Sequence, residues 1–380
     1  GGGSASDLEK DAALKAHKEA EEDYKAAQEA VQIAKENLEE AEAATVDADE
    51  TVTEAENTVT SAEQDRDKAQ SDVTSAQAAV DEAKKKAEEA KEFMDNASQS
   101  LKDGMYAFFE SVGATDALDA LENCHFAEYN IKGSSTDASF FENVFAALDF
   151  IDECNELRKE EGLSELKVTD LMMAYAIADA NYANNIILHH PGQFPVGENL
   201  AWGYIDPFDG WYDEEKEIYE SGGDGEVGHY RNIVNSSYTL TGFAVNTGRN
   251  NVYGVTYCQV FDFGSGYGTV YSVSEYRNRL QQYYNSLVNA EDAYEEALSA
   301  LQDAQRTLSG YEEVLEDAEA ALTLTEADLQ NAKELLAASQ KEYQTASDNY
   351  QISVENEKKA QTTLESVQED YAFAFASVSL

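Results

Sequence analysis

Two apolar series, each repeating every seventh residue, run through the N-terminal part of the chain. One is an unbroken row of alanines: Ala13, Ala20, Ala27, Ala34 and onward to Ala90 and Ala97. The other lies three residues ahead of it and is larger, with Tyr24, Val31, Leu38, Val52, Val59, Val73 and Val80 among its members. The C-terminal part repeats the pattern with Leu280, Leu287, Leu301, Leu308, Leu315, Leu322 and Leu329. Its small partners include Ala290, Ala297, Ala304, Ala318 and Ala332. A seven-residue apolar period held this long predicts a left-handed coiled coil. No glycine or proline falls between Ser4 and Asp103, and only Gly310 interrupts Thr269 to Leu380, so neither arm carries a helix stop.

The two arms are of similar length and flank one middle segment, whose ends should lie close together. They are therefore expected to zip antiparallel within a single chain, as a monomer. The organisation read this way is an arm over 1–103, a lead-in over 104–138, a globular head over 139–268 and a second arm over 269–380. Arg66 interrupts the apolar row. Counted outward from the head, it should meet Glu312, Glu313 or Glu316, with Gly310 giving room.

All three prolines lie in the middle segment. There Ser139–Glu161 and Thr169–Leu188 read as helices, and Trp211–Tyr219 as a short third. Leu240–Val245 and Val252–Phe263 are rich in Val, Tyr and Phe and read as strands. Helices around a small antiparallel sheet, an α+β head, follow.

A formal charge of −50, from 76 acidic and 26 basic residues, repels phosphate and excludes nucleic acid as a partner. It equally disfavours anionic membranes. Three cysteines, Cys124, Cys154 and Cys258, allow one disulfide at most. Cys258 reads as a small buried hydrophobe on a strand. Nothing in the sequence reads as a membrane span, and Gly1–Ser4 looks like an expression remnant, so export and anchoring signals are expected to have been trimmed.

Candidate chemistry is confined to the head. His189 and His190 precede Gly197-Glu198-Asn199-Leu200-Ala201-Trp202-Gly203; Trp211-Tyr212-Asp213-Glu214-Glu215 and Gly228-His229-Tyr230-Arg231-Asn232-Ile233 follow. Two imidazoles with two carboxylates suit a divalent cation, although such residues are more often solvated or structural. The loop Ser221–Glu226 reads as a connection or a lid. No Gly-x-Ser-x-Gly turn or phosphate loop occurs, so serine hydrolase and nucleotide readings have no support.

These blocks, with Thr241-Gly242-Phe243-Ala244-Val245 and Tyr253-Gly254-Val255-Thr256-Tyr257 after them, resemble the CAP superfamily over roughly Ser139 to Phe263. The superfamily comprises the SCP-like proteins: cysteine-rich secretory, antigen 5 and pathogenesis-related. The resemblance implies an α-β-α sandwich inserted between the two long helices. It also implies a cleft with a tetrad of His190, Glu198, Glu214 and His229, with His189 and Glu215 as rivals for two of the places. In active members His190 and His229 would hold Zn²⁺ or another divalent cation while a glutamate serves as base. A CAP head between coiled coils is similar to surface-exclusion proteins of Gram-positive conjugative plasmids. That layout implies an extracellular, cell-wall-anchored protein for adhesion, recognition or surface exclusion, whose ligand would be a protein or another cell-surface component. A metal-dependent peptidase is the alternative.

Overall fold

A computed structural model describes residues 6–376, so the remnant expected at Gly1–Ser4 lies, with residue 5 and the last four residues, outside the described part. Helices α1 (Asp7–Asp103), α2 (Met105–Ser111), α3 (Thr115–Glu122) and α4 (Phe141–Glu160) come first. Strand β1 (Lys167–Val168), helix α5 (Asp170–Asn185) and strand β2 (Gly197–Trp202) follow. A π-helical turn, Asp209–Glu214, leads into α6 (Glu215–Ser221) and α7 (Gly228–Ile233). Strands β3 (Leu240–Asn246) and β4 (Thr256–Asp262) precede α8 (Val273–Val288) and α9 (Ala290–Ala376). Contacts divide the chain into two compact units, one of residues 1–80 with 304–380 and one of 81–303.

In the first unit, members of the two heptad rows pack together. Val59 and Ala62 of α1 form a buried cluster with Leu322, and Leu329 packs against it. Further back along α1, Thr45 donates to the Ser339 carbonyl at 3.2 Å, and the His17 ring stacks on Tyr371 at 4.9 Å. Partner numbers rise along α9 as they fall along α1, so the two helices pair antiparallel. Arg66 lies one turn beyond Ala62, in the expected neighbourhood, but its expected partners are not the ones it takes. The guanidinium bonds neighbouring Asp67 at 3.0 Å, with no bond to Glu312, Glu313 or Glu316. A carboxylate on the same exposed stretch is in reach without ordering a second helix's side chain, and exposed ion pairs repay little of that ordering. Helix α9 runs through Gly310, and a Cβ there would meet nothing within 4 Å.

In the second unit four strands pair in the order β1-β3-β4-β2, with β1 parallel to β3 and the rest antiparallel. Helix α5 covers one face. It starts at Thr169, whose hydroxyl accepts from the Met172 N–H, and comes so close to β3 that a Cβ on Gly242 would overlap the Met172 carbonyl oxygen. Helix α4 covers the other face, where Phe150 stacks on Phe243 at 5.3 Å. Arg158, fully buried on α4, donates to the carbonyls of Ser164, Ile233 and Asn235, tying α4 to the segment after α7. The layers are those of an α-β-α sandwich.

The strands at 240–246 and 256–262 and the helices at 141–160 and 170–185 follow the sequence reading. Strand β2 was not anticipated as a strand, because its Gly-Glu-Asn-Leu-Ala-Trp run mixes polar and small residues. It pairs with β4 along its whole length, Gly197 opposite Phe261 and Trp202 opposite Thr256. The lead-in, which has no readable motif, forms α2 and α3, with Met105, Phe108, Phe109 and Leu121 buried in the core. Ser272 caps α8, its hydroxyl accepting from the Glu275 N–H at 3.1 Å. All three cysteines are free thiols. Among the described residues no helix is long and apolar enough to cross a membrane.

Two glycines should respond in opposite directions. Gly242→Ala forces α5 off the sheet and should cost at least about 2 kcal/mol. Gly310→Ala meets only open space and should stabilise its helix by about 0.5–1 kcal/mol. Urea denaturation of the full chain, followed by circular dichroism, measures both. Equal and small effects would contradict the packing described.

Candidate functional site

The site is built outward from β2. Glu198 and Asn199 are successive residues of that strand, so their side chains leave on opposite faces. Glu198 turns to α5. There its carboxylate lies with Asp179 and the Cys258 thiol, all three ligand atoms within 4.8 Å of one another. His190 approaches from the loop after α5, its Nδ1 2.7 Å from Glu198 Oε1. Asp179 is anchored by Gln193, whose amide donates at 2.9 Å. Cys258 is therefore a buried strand residue, as expected, but its thiol belongs to a polar cluster rather than to the apolar core alone.

Asn199 turns to α7. Its amide donates to the His229 carbonyl at 3.2 Å and its oxygen accepts from Asn232 at 2.8 Å. This fixes α7, and with it His229. The His229 ring lies on Trp211, whose Nε1 donates to the Leu200 carbonyl at 3.0 Å.

The carboxylate that meets His229 is Glu215. Its Oε2 is 2.6 Å from His229 Nδ1, while its Oε1 accepts from the backbone N–H groups of His229 and Tyr230 at 3.0 and 3.2 Å. Those donors are at the start of α7, where backbone N–H groups lack partners within the helix, so the buried carboxylate caps the helix from a distance. Glu214, the residue placed in the tetrad by its spacing from Trp211, is exposed and makes none of these bonds. The reason is the π-helical turn at Asp209–Glu214. That turn carries the chain through Glu214 into α6, whose first residue, Glu215, lies four positions after Trp211 and is buried where Glu214 is exposed. His189, the rival of His190, is exposed and makes no contact with Glu198.

Each imidazole thus has Nδ1 held by a carboxylate and Nε2 left over. Carboxylates hold metal-ligating histidines in this way, so His190 and His229 each suit a ligand position. A zinc site needs three protein ligands or more. Among the described residues the two histidines join no group of three ligand atoms within 4.8 Å, so the donor set falls short.

His229 and Glu215 line a cleft of about 410 Å³. Its apolar walls are Leu188, Trp202, Tyr204, Trp211, Ile218 and Tyr253, and Glu214 and Glu226 stand with Glu215 as its carboxylates. Glu226 comes from the loop that the sequence offered as a lid. No serine, threonine or cysteine lines the cleft.

Burial shifts the protons of the inner cluster. The Asp179 carboxyl is pushed from 3.8 up to about 10 by burial first and by Glu198 second. Burial also raises Glu198, and it carries the Cys258 thiol well above its ordinary value, with the two carboxyls adding to the rise. Asp179 is therefore neutral near pH 7 and donates to Glu198.

Residues 151–263 match the sequence model of the family described as CAP: Cysteine-rich secretory protein family. A CAP domain is thus present within the second unit, and the matched stretch runs from within α4 to just past β4. Among curated proteins none matches the chain.

Two tests follow from this geometry. Glu215→Ala removes a buried acceptor of three bonds and should destabilise the protein by about 2–3 kcal/mol, against less than about 0.5 kcal/mol for Glu214→Ala. Urea midpoints separate them, and equal effects would contradict the bonding role given to Glu215.

The second concerns pH. The folded state holds the Asp179 proton that the unfolded chain releases near pH 4. Its contribution is therefore fully present below about pH 4 and declines as pH rises toward about 10. Glu198 acts in the same direction. Asp179→Asn keeps a neutral donor toward Glu198 and should flatten the fall in urea midpoint between pH 5 and pH 9. An unchanged slope would show that Asp179 is not held protonated.

Proposed function

We propose that the chain is a recognition protein of the bacterial cell exterior whose CAP domain binds a surface component. The observation that carries this is the composition of the cleft beside His229: apolar walls, no serine, threonine or cysteine in its lining, and a histidine tied into the framework by Glu215. Such a cleft is equipped to hold a ligand, with a few polar groups setting its orientation. The long helices, which their heptads would wind into an intramolecular coiled coil, support the domain. Their mutual pairing makes a second chain unnecessary, so a monomer is expected. Extracellular location, cell-wall anchoring and a role in adhesion or surface exclusion in a Gram-positive organism belong to the same reading. It draws on the secretory family of the matched segment and on the likeness of the layout to stalked surface proteins.

One observation favours the peptidase alternative: both imidazoles are oriented through Nδ1 as metal ligands are. That reading needs Zn²⁺ or another divalent cation, with His190 and His229 among its ligands, plus a further ligand from outside the set described.

The two readings separate in one assay. Fluorescently labelled full chain is applied to bacterial and host cells, with and without a chelator, alongside the His190→Ala and His229→Ala variants. Binding retained in His190→Ala and in chelator supports recognition. Metal-dependent cleavage of a surface protein, lost in both variants, would replace it with the peptidase.

A further inference from the structure

We propose that the cleft beside His229 takes an organic cation on an alkyl chain, in the first instance a lysine side chain of a protein partner. The proposal rests on the recognition reading and names what that site accepts. Four aromatic rings line the cleft, and two are fixed in place. Trp202 Nε1 donates to the Ala183 carbonyl at 2.7 Å and Trp211 Nε1 to the Leu200 carbonyl at 3.0 Å. Tyr204 lies against the bare backbone of Gly210, where a Cβ would come within 2.7 Å of its hydroxyl. Tyr253 is 54% exposed at the rim. Ring faces attract cations, most strongly where water is excluded, and rings already held in place lose little freedom on binding.

The charge points the same way. Three carboxylates, Glu214, Glu215 and Glu226, line the cleft, and no lysine or arginine does. Glu215 is committed to His229 and α7, but neither Glu214 nor Glu226 has an ion-pair partner among the described residues. The nearest cations by sequence are engaged elsewhere: Lys216 with Glu161 at 2.7 Å, and Arg231 over the Tyr219 ring. Two uncompensated carboxylates beside aromatic faces make a complement for one positive charge with an apolar stem. A chain of net charge −50 draws cations toward it and repels the phosphate that accompanies a choline headgroup, which favours lysine over lipid as the source.

Leu188 supplies an independent mark. It is the only non-glycine among the described residues with positive φ, 64°, and it lines the cleft while 70% exposed. A branched apolar residue held in the left-handed region and left in water is strained twice over, and such outliers gather where ligands are clamped. A bound alkyl stem would cover its side chain.

The chain has two tryptophans, and both line this cleft, so intrinsic fluorescence reads its occupancy directly. The full chain is titrated at low salt with Nα-acetyl-lysine methylamide, hexylammonium, hexanoate and phosphocholine. Both amines should saturate, with hexanoate at least about tenfold weaker. The double variant Glu214→Gln/Glu226→Gln should weaken the amines about tenfold, and Tyr253→Ala about fivefold, with urea midpoints unchanged. Hexanoate binding as well as hexylammonium, or amine binding untouched in the double variant, overturns the proposal. Saturation by phosphocholine in preference to the lysine derivative overturns lysine as the source. Amine binding in a chain that binds no cells would sink the recognition reading while leaving the cation selectivity of the cleft standing.

Discussion

Everything at the site depends on the pleat of one edge strand. Because Glu198 and Asn199 are neighbours on β2, one must face α5 and the other α7, and a slip of one residue would exchange them. The pairing of β2 with β4, fixed from Gly197–Phe261 to Trp202–Thr256, is what prevents the slip. It places the Glu198 carboxylate against Asp179 and Cys258, and it hands the backbone of His229 to the Asn199 amide. The strand also fixes two of the cleft's walls, since Trp202 belongs to it and Trp211 hangs from the Leu200 carbonyl.

The same strand explains how a strongly acidic chain can bury carboxyl groups at its centre. An ionised carboxylate away from water is costly unless it is well supplied with donors. Glu198 accepts from His190, from protonated Asp179 and from the Cys258 thiol, and Glu215 accepts from an imidazole and two backbone amides. Each is a hub for three donors. Asp179 is the exception that completes the scheme: it gives up its charge and becomes one of the donors. A cationic partner for these groups is replaced by backbone and proton sharing, whereas Glu214 and Glu226 line the cleft without one.

The long helices were largely legible, because a seven-residue period is a property of sequence and needs no tertiary information, but the break at Asn289 between α8 and α9 was not, since neither glycine nor proline marks it. The antiparallel direction and the neighbourhood of Arg66 followed from counting. Its partner did not, because a flexible guanidinium chooses among nearby carboxylates by small differences that spacing does not encode. In the head, β3, β4, α4 and α5 carried their own apolar pattern. Strand β2 escaped because its side chains serve the site, and polar residues facing a site do not alternate with apolar ones. The order of the motifs singles out His190, Glu198 and His229, and in the structure His190 bonds Glu198 while His229 bonds Glu215. The same order favours Glu214 with Glu215 as its rival, and it is Glu215 that bonds His229. The one available signal was the adjacent pair of glutamates itself, which kept both positions open. Leu188 and Tyr253, which make the cleft what it is, were invisible for another reason: one matters through its backbone angle and the other through exposure.

The two histidine–carboxylate pairs are alike in distance and unlike in consequence. The His190 side chain is 60% exposed, whereas that of His229 is 23% exposed. His190 lies on a loop and bonds a carboxylate that has other donors, so its removal takes away a surface imidazole and leaves Glu198 supplied. His229 stacks on Trp211, and the carboxylate it shares also caps α7, so its removal loosens the cleft wall as well as deleting a nitrogen. Equal loss of activity in the two variants would therefore not mean equal chemical roles. A functional effect at His190 speaks to chemistry, because little of the framework goes with it. An effect at His229 must first be separated from the displacement of α7, and the natural control is Asn199, whose amide holds the His229 carbonyl without bonding the imidazole.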